Sequence, residues 1–214
     1  MSNRSRGRFI TAVGLPCVGK SSVMRALSML IGARVFLEPE EHEWGDAVRQ
    51  WDVNGHFTGL MWFRSARVPL IYQAHGIRGE GGVALLDSYY DKILTCYLGR
   101  PGMEWLLAPD DPYFEFAQGI ALTDWLVLPD ADCVISFEVT REDWASMLAR
   151  RNRDLDRDEA FLRSFDTQRY FTEAAERLGA ERNVRVISFR QTFGTVGDAA
   201  KRLLSRLREE NVLP

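Results

Sequence analysis

A parallel, doubly wound α/β sheet in a single domain is the fold class that the sequence predicts, and three observations carry it. Short, apolar, β-branched runs alternate along the chain with segments of helical periodicity. The first such run passes directly into Gly14-Leu-Pro-Cys-Val-Gly-Lys-Ser21, which fits the phosphate-loop pattern G-x-x-x-x-G-K-[ST]. No internal repeat, low-complexity tract or linker divides the 214 residues, and that length suffices to bury one proper core.

The elements follow in order. Residues 8–13, Arg-Phe-Ile-Thr-Ala-Val, suit a buried parallel strand, and Lys20 to Ile31 places Val23, Leu27, Leu30 and Ile31 at helical spacing. A second strand spans Ala33 to Leu37 and stops at Glu38-Pro39, because proline cannot donate to a ladder. Trp44, Val48 and Trp51 resume a helical pattern, and Asn54-Gly55 punctuates it. His56 to Gln73 reads as a helix that Pro69 kinks or locally breaks. Gly81-Gly82 announces a third strand, Val83 to Asp87, apolar until it closes on a carboxylate. Ser88 to Leu98 suits a helix, residues 100–112 are irregular, and Tyr113 to Leu126 is helical. Asp132 to Glu138 forms the fourth strand. Thr140 and Asp143 make a capping box for a helix with Trp144, Met147 and Leu148 on its core side. A dense mixed-charge stretch over 150–158 precedes a helix from Asp158 to Leu178. Asn183 to Phe189 is the fifth strand, and Val196, Ala200, Leu203, Leu204 and Leu207 mark the last helix. Residues 1–7, rich in Ser and Arg, read as a disordered leader to a domain spanning 8–214.

Composition sets limits on function. Apolar content of 46%, charged content of 27% and a formal net charge of -3 are ordinary for a globular chain and do not indicate a surface that wraps nucleic acid. Cys17, Cys96 and Cys133 form no C-x-x-C pair, and His42, His56 and His75 have no ligand spacing, so neither zinc nor a disulfide framework is predicted. With no N-terminal apolar signal and no run of 18 apolar residues, a soluble cytoplasmic protein with no membrane partner is expected.

The phosphate loop has a physical logic. Glycines let backbone N–H groups close around phosphate oxygens, and the following helix turns its positive end to the same anion. Gly14, Cys17, Val18 and Gly19, with Lys20, Ser21 and Ser22 opening the helix, are the predicted nucleotide-binding residues. Cys17 serves there as a small filler. Lys20 reaches the β/γ-phosphates, and Ser21 with Asp87 holds Mg²⁺. Ligands in open α/β sheets gather at the carboxyl ends of strands, where Glu38 and Asp87 both lie. Glu38 suits a general base for an acceptor hydroxyl. Arg64 and Arg67, three apart on one helix face, suit a clamp for an anionic acceptor. Trp44, Phe63 and Tyr90 offer flat surfaces to an acceptor ring. Arg150, Arg151 and Arg153 suit a lid that closes over the phosphates and balances transition-state charge.

In their order these motifs resemble the thymidylate kinase and deoxynucleoside kinase superfamily of P-loop kinases, from Arg8 to about Leu207. The likeness is carried by Gly14-x4-Gly19-Lys20-Ser21, Glu38-Pro39, Phe63-Arg64-Ser65-Ala66-Arg67, Asp87, Leu128-Pro129-Asp130 and the arginine-rich stretch. It implies the P-loop NTPase fold, a five-stranded parallel sheet of order 2-3-1-4-5 flanked by helices, with a short lid over 150–158. It also implies ATP and Mg²⁺ as cofactors, a small-molecule acceptor of the nucleoside or nucleotide class, and a homodimer. Three positions depart from the pattern. Ser88 and Leu37 stand where the resemblance leads one to expect arginine, and Arg64 where nucleoside kinases carry glutamine. A divergent acceptor follows, with a hydroxylated base or antibiotic as one alternative and a non-catalytic nucleotide-binding subunit as another.

Overall fold

The computed structural model describes residues 7–151 and 164–214. Five parallel strands form one sheet in the order β2-β3-β1-β4-β5, with β1 Arg8–Val13, β2 Arg34–Phe36, β3 Val83–Leu86, β4 Cys133–Glu138 and β5 Arg185–Arg190. All four pairings are parallel, as the expected order requires. β1 and β4 lie inside the sheet and are buried almost throughout, which accounts for their unbroken apolar sequence. The edge strand β5 alternates instead, exposing Arg185, Ser188 and Arg190, a polar row that discourages pairing with another chain.

Nine helices are described: α1 Lys20–Ile31, α2 Asp46–Arg49, α3 Trp51–Asn54, α4 His56–Gly79, α5 Tyr90–Ile93, α6 Phe114–Val127, α7 Arg141–Arg151, α8 Gln168–Arg182 and α9 Val196–Glu209. α1 packs with α9, α4 lies on β3 and β1, and α8 lies on β4 and β5. Their apolar faces close one main core around Phe9, Leu85, Ile135, Phe137, Phe171 and Leu203. None of the described helices is long and apolar enough to cross a membrane.

Three expectations need correction. α4 continues through Pro69 for 24 residues, so the proline does not break it. Pro69 is exposed, while Ile71 and Ala74 just beyond it are buried, so packing of the distal half outweighs the one backbone bond that proline removes. The segment after β3 holds only the four-residue α5 and a 3-10 turn at Leu94–Cys96, since Tyr89, Asp91, Lys92 and Tyr97 are all buried and no polar face remains for a regular helix. The pattern at Trp44, Val48 and Trp51 resolves into α2 and α3, separated by Gln50 in a non-helical conformation. Of the supposed leader, Gly7 is buried, and a Cβ there would collide with the backbone carbonyl of Arg78. The part of the predicted lid and following helix over 152–163 lies outside the described residues.

Candidate active site

β1 sits at the switch point of the sheet, with β3 on one side and β4 on the other, so a crevice opens at its carboxyl end. The phosphate loop occupies that place. Gly14 has φ 145°, and a Cβ there would lie 2.7 Å from the carbonyl oxygen of Phe137, so only glycine lets the loop leave β1 this close to β4. Gly19, with φ 86°, is the N-cap of α1 and offers no side-chain oxygen to the first helical N–H groups. No acidic residue stands in the first turn of α1, so those donors suit an anion.

Lys20 is folded into the loop, its Nζ donating to the carbonyls of Gly14 at 3.0 Å and Leu15 at 2.9 Å. A buried ammonium is thus kept hydrogen-bonded within the loop. Val18 is fully buried and anchors the loop, while Ser21 and Ser22 are exposed at the start of α1. Behind the loop, Trp144 on α7 donates its indole Nε1–H to the carbonyl of Pro16 at 2.9 Å, tying α7 to the loop.

Cys17 adopts φ 66°, a conformation that costs a residue with a Cβ about 1–2 kcal/mol. Its side chain is half-buried and packs on the core. Cys17→Gly is therefore expected to hold the loop at least as well as Cys17→Val, whose branched Cβ is poorly tolerated there. Thermal unfolding should separate the two variants by about 2 kcal/mol, and equal stability would mean that the backbone at Cys17 relaxes.

Asp87, just past β3, is buried and accepts from Ser21 Oγ at 2.6 Å through Oδ2, while its Oδ1 has no hydrogen-bond partner. An orphaned carboxylate oxygen beside a hydroxyl, at the mouth of a phosphate loop, is a hard-oxygen pair of the kind Mg²⁺ takes, with phosphates and waters completing its shell. The residues present fit that ion. Burial pushes the Asp87 carboxyl from an ordinary 3.8 up to about 6, against the opposing pull of Lys20. Because the folded value is the higher, the folded metal-free protein binds this proton more tightly, and stability falls as pH rises from about 4 to about 6. Asp87→Asn removes the effect. Measured by denaturant unfolding in chelator, the stability of wild type relative to Asp87→Asn is expected to drop by about 3 kcal/mol across that window; a flat difference would refute it.

Glu38 follows β2, two residues past Phe36, whose carbonyl accepts from the Asp87 backbone N–H at 2.9 Å. Of the predicted acceptor residues, Trp44, Phe63, Arg67 and Tyr90 gather here with Glu38. Arg67, buried on α4, donates Nε and Nη2 to the two oxygens of Asp91 at 2.9 and 3.2 Å and Nη1 to Glu38 Oε1 at 3.2 Å. Its guanidinium lies 5.2 Å from the ring centre of Phe63 and 5.4 Å from that of Tyr90. Trp44 meets Phe63 edge to face at 5.6 Å. Burial alone would weaken the charge of Arg67, but Asp91 and Glu38 more than offset this and hold its pKa above the usual value.

Arg64 shares the helix face of Arg67 yet turns elsewhere, making a bidentate pair with buried Asp124 of α6 at 2.6 and 2.7 Å. Arg150 is exposed near the end of α7, which Arg151 closes, and Arg153 lies outside the described residues. Three residues of this region carried no readable signal in the sequence. Asp91 and Asp124 resemble surface aspartates until α4 is docked. Gln191 follows β5, is buried with an unpaired Oε1, and has its side-chain nitrogen 3.4 Å from where a Cβ on Gly19 would stand.

No protein-family model matches the chain, and no curated protein matches it in sequence. Solved structures do match. A deoxyadenosine kinase from M. mycoides with bound dATP superposes with a TM-score of 0.66 over 94% of this chain and 99% of that one, at 16% identity. A thymidylate kinase from Candida albicans superposes with a TM-score of 0.60 over 96% of this chain and 93% of that one, also at 16% identity.

Proposed function

We propose, from the P-loop kinase fold that this chain shares with a deoxyadenosine kinase and a thymidylate kinase, that the protein transfers the γ-phosphoryl group of ATP, with Mg²⁺, to a small-molecule acceptor of the nucleoside or nucleotide class. The observation that carries the reading is the convergence, at the carboxyl ends of three adjacent strands, of the Lys20 loop, the Ser21–Asp87 pair and Glu38.

In this reading Lys20 and the backbone N–H groups at the start of α1 hold the β/γ-phosphates. Ser21 and Asp87 hold Mg²⁺, which when bound supplies positive charge to the phosphate oxygens. Glu38 receives the proton of an acceptor hydroxyl as its oxygen bonds to the γ-phosphorus and the bond to the β–γ bridging oxygen breaks, leaving ADP. Trp44, Phe63 and Tyr90 shape the acceptor side, and Arg150, Arg151 and Arg153 supply charge to the transferring group.

The test is transfer of radiolabelled γ-phosphate from Mg-ATP to a panel of nucleosides, deoxynucleosides, modified pyrimidines and their monophosphates. Transfer to at least one acceptor by wild type is the expected result. ATP binding with no acceptor labelled would overturn the nucleoside or nucleotide acceptor and leave either an acceptor outside that class or a nucleotide-binding subunit.

A further inference from the structure

We infer that the group phosphorylated by this protein is a hydroxyl of an uncharged acceptor rather than a phosphate monoester, and that Asp91 sets this choice. The inference rests on the kinase reading above and specifies its acceptor.

The argument is one of charge at close quarters. A monoester brings close to two negative charges at neutral pH and needs cations free to receive them. Arg67 is the arginine that α4 delivers beside Glu38, and it is already matched by two carboxylates. Asp91 takes it bidentately, Glu38 takes a third donor, and its side chain is 10% exposed. The rings of Phe63 and Tyr90 lie within cation–π distance of the guanidinium and add to its hold in this place.

Arg64, the second arginine of the same face, is engaged by Asp124. Arg25, on α1, stands 3.8 Å from Glu40. Lys20 belongs to the loop that takes the donor phosphates. Leu37 and Ser88, which adjoin Glu38 and Asp87 in the chain, add no positive charge. Among the described residues at this place, Arg67, Glu38 and Asp91 together therefore carry a net negative charge, and a monoester placed there meets Glu38 as a like charge.

A hydroxyl meets none of this repulsion. Glu38, with its side chain 32% exposed, is available to take the hydroxyl proton. Arg67 keeps two of its five N–H donors for a neutral oxygen of the same molecule. Asp91 acts through Arg67 and is a positioning residue: by holding the guanidinium and cancelling its charge, it makes Arg67 a hydrogen-bond donor without the net attraction that an anion requires.

The experiment measures equilibrium binding without ATP, by calorimetry, for a panel of nucleosides and their 5′-monophosphates, alongside radiolabelled transfer with Mg-ATP. Wild type is expected to bind at least one neutral member, and to bind it at least about tenfold more tightly than its monophosphate. In Asp91→Asn, which keeps the size of the side chain and drops its charge, that ratio should shrink by about tenfold through tighter monophosphate binding. A merely structural role for Asp91 would weaken both ligands alike, so an unchanged ratio in a folded variant overturns its assignment. Should Asp91→Asn not fold, Glu38→Gln removes the other carboxylate on Arg67 and is expected to shift the ratio in the same direction.

Tighter binding of monophosphates by wild type, or their preferential phosphorylation, overturns the inference and leaves the kinase reading standing. Selective binding of the neutral member with no transfer to it overturns the kinase reading and leaves the charge selection standing. Binding of no panel member overturns both.

Discussion

Replacing Lys20 with alanine is expected to abolish detectable phosphoryl transfer, lowering kcat/KM by about a thousandfold. The ammonium is the one cation enclosed by the phosphate loop, where its two carbonyl partners hold it in place before any phosphate arrives. A charge fixed beforehand in a site with little water stabilises the transferring group far more than a solvated one, and loss of a single such donor costs about a hundredfold to a thousandfold. The loop carbonyls of Gly14 and Leu15 also lose their partner, so a modest fall in thermal stability should accompany the loss of activity. The assay is radiolabelled transfer to whichever acceptor the wild type uses. Lys20→Arg is a useful companion, because a planar guanidinium keeps the charge but not the compact geometry. Activity retained by Lys20→Ala would remove the phosphate loop from the mechanism and with it the proposed function.

The second large effect is expected at Glu38. With a hydroxyl acceptor, Glu38→Gln should lower kcat by about a hundredfold to ten-thousandfold, since glutamine cannot receive the proton in the transition state. KM for the acceptor should change much less, because the amide still fills the same space beside Arg67. A phosphate acceptor arrives already ionised and has no proton to give, so its kcat should be nearly indifferent to the change. Steady-state kinetics with a matched nucleoside and monophosphate pair reads the difference directly.

The parts of this molecule written in local sequence were legible, and those made by docking were not. The loop and α1 could be read residue by residue, because glycine spacing, the lysine and a 3.6-residue apolar period act within one short stretch. The five strands were found to within a few residues, since buried parallel strands are continuous apolar runs. Their order came from resemblance, and the sheet bears it out. Pro69 misled because its cost is local while the packing of Ile71 and Ala74 that outweighs it is tertiary. The partners of Arg64 and Arg67 were hidden for the same reason. Asp124 is 60 residues from Arg64 in the chain and Asp91 is 24 from Arg67, and no pattern of spacing links them.

The bond between Trp144 and the phosphate loop has a practical use. The indole is nearly sealed from solvent, and its N–H is committed to the carbonyl of Pro16. An indole's emission responds to the polarity around its ring and to the hydrogen bond it donates, so the chain carries its own optical gauge of the loop. Filling the loop with a nucleotide redraws the field around the Pro16 carbonyl, and the fluorescence of Trp144 should follow it. A Trp144→Phe protein would supply the blank for the other five tryptophans. Occupancy could then be followed in real time with unlabelled protein and unlabelled nucleotide, before any acceptor has been identified.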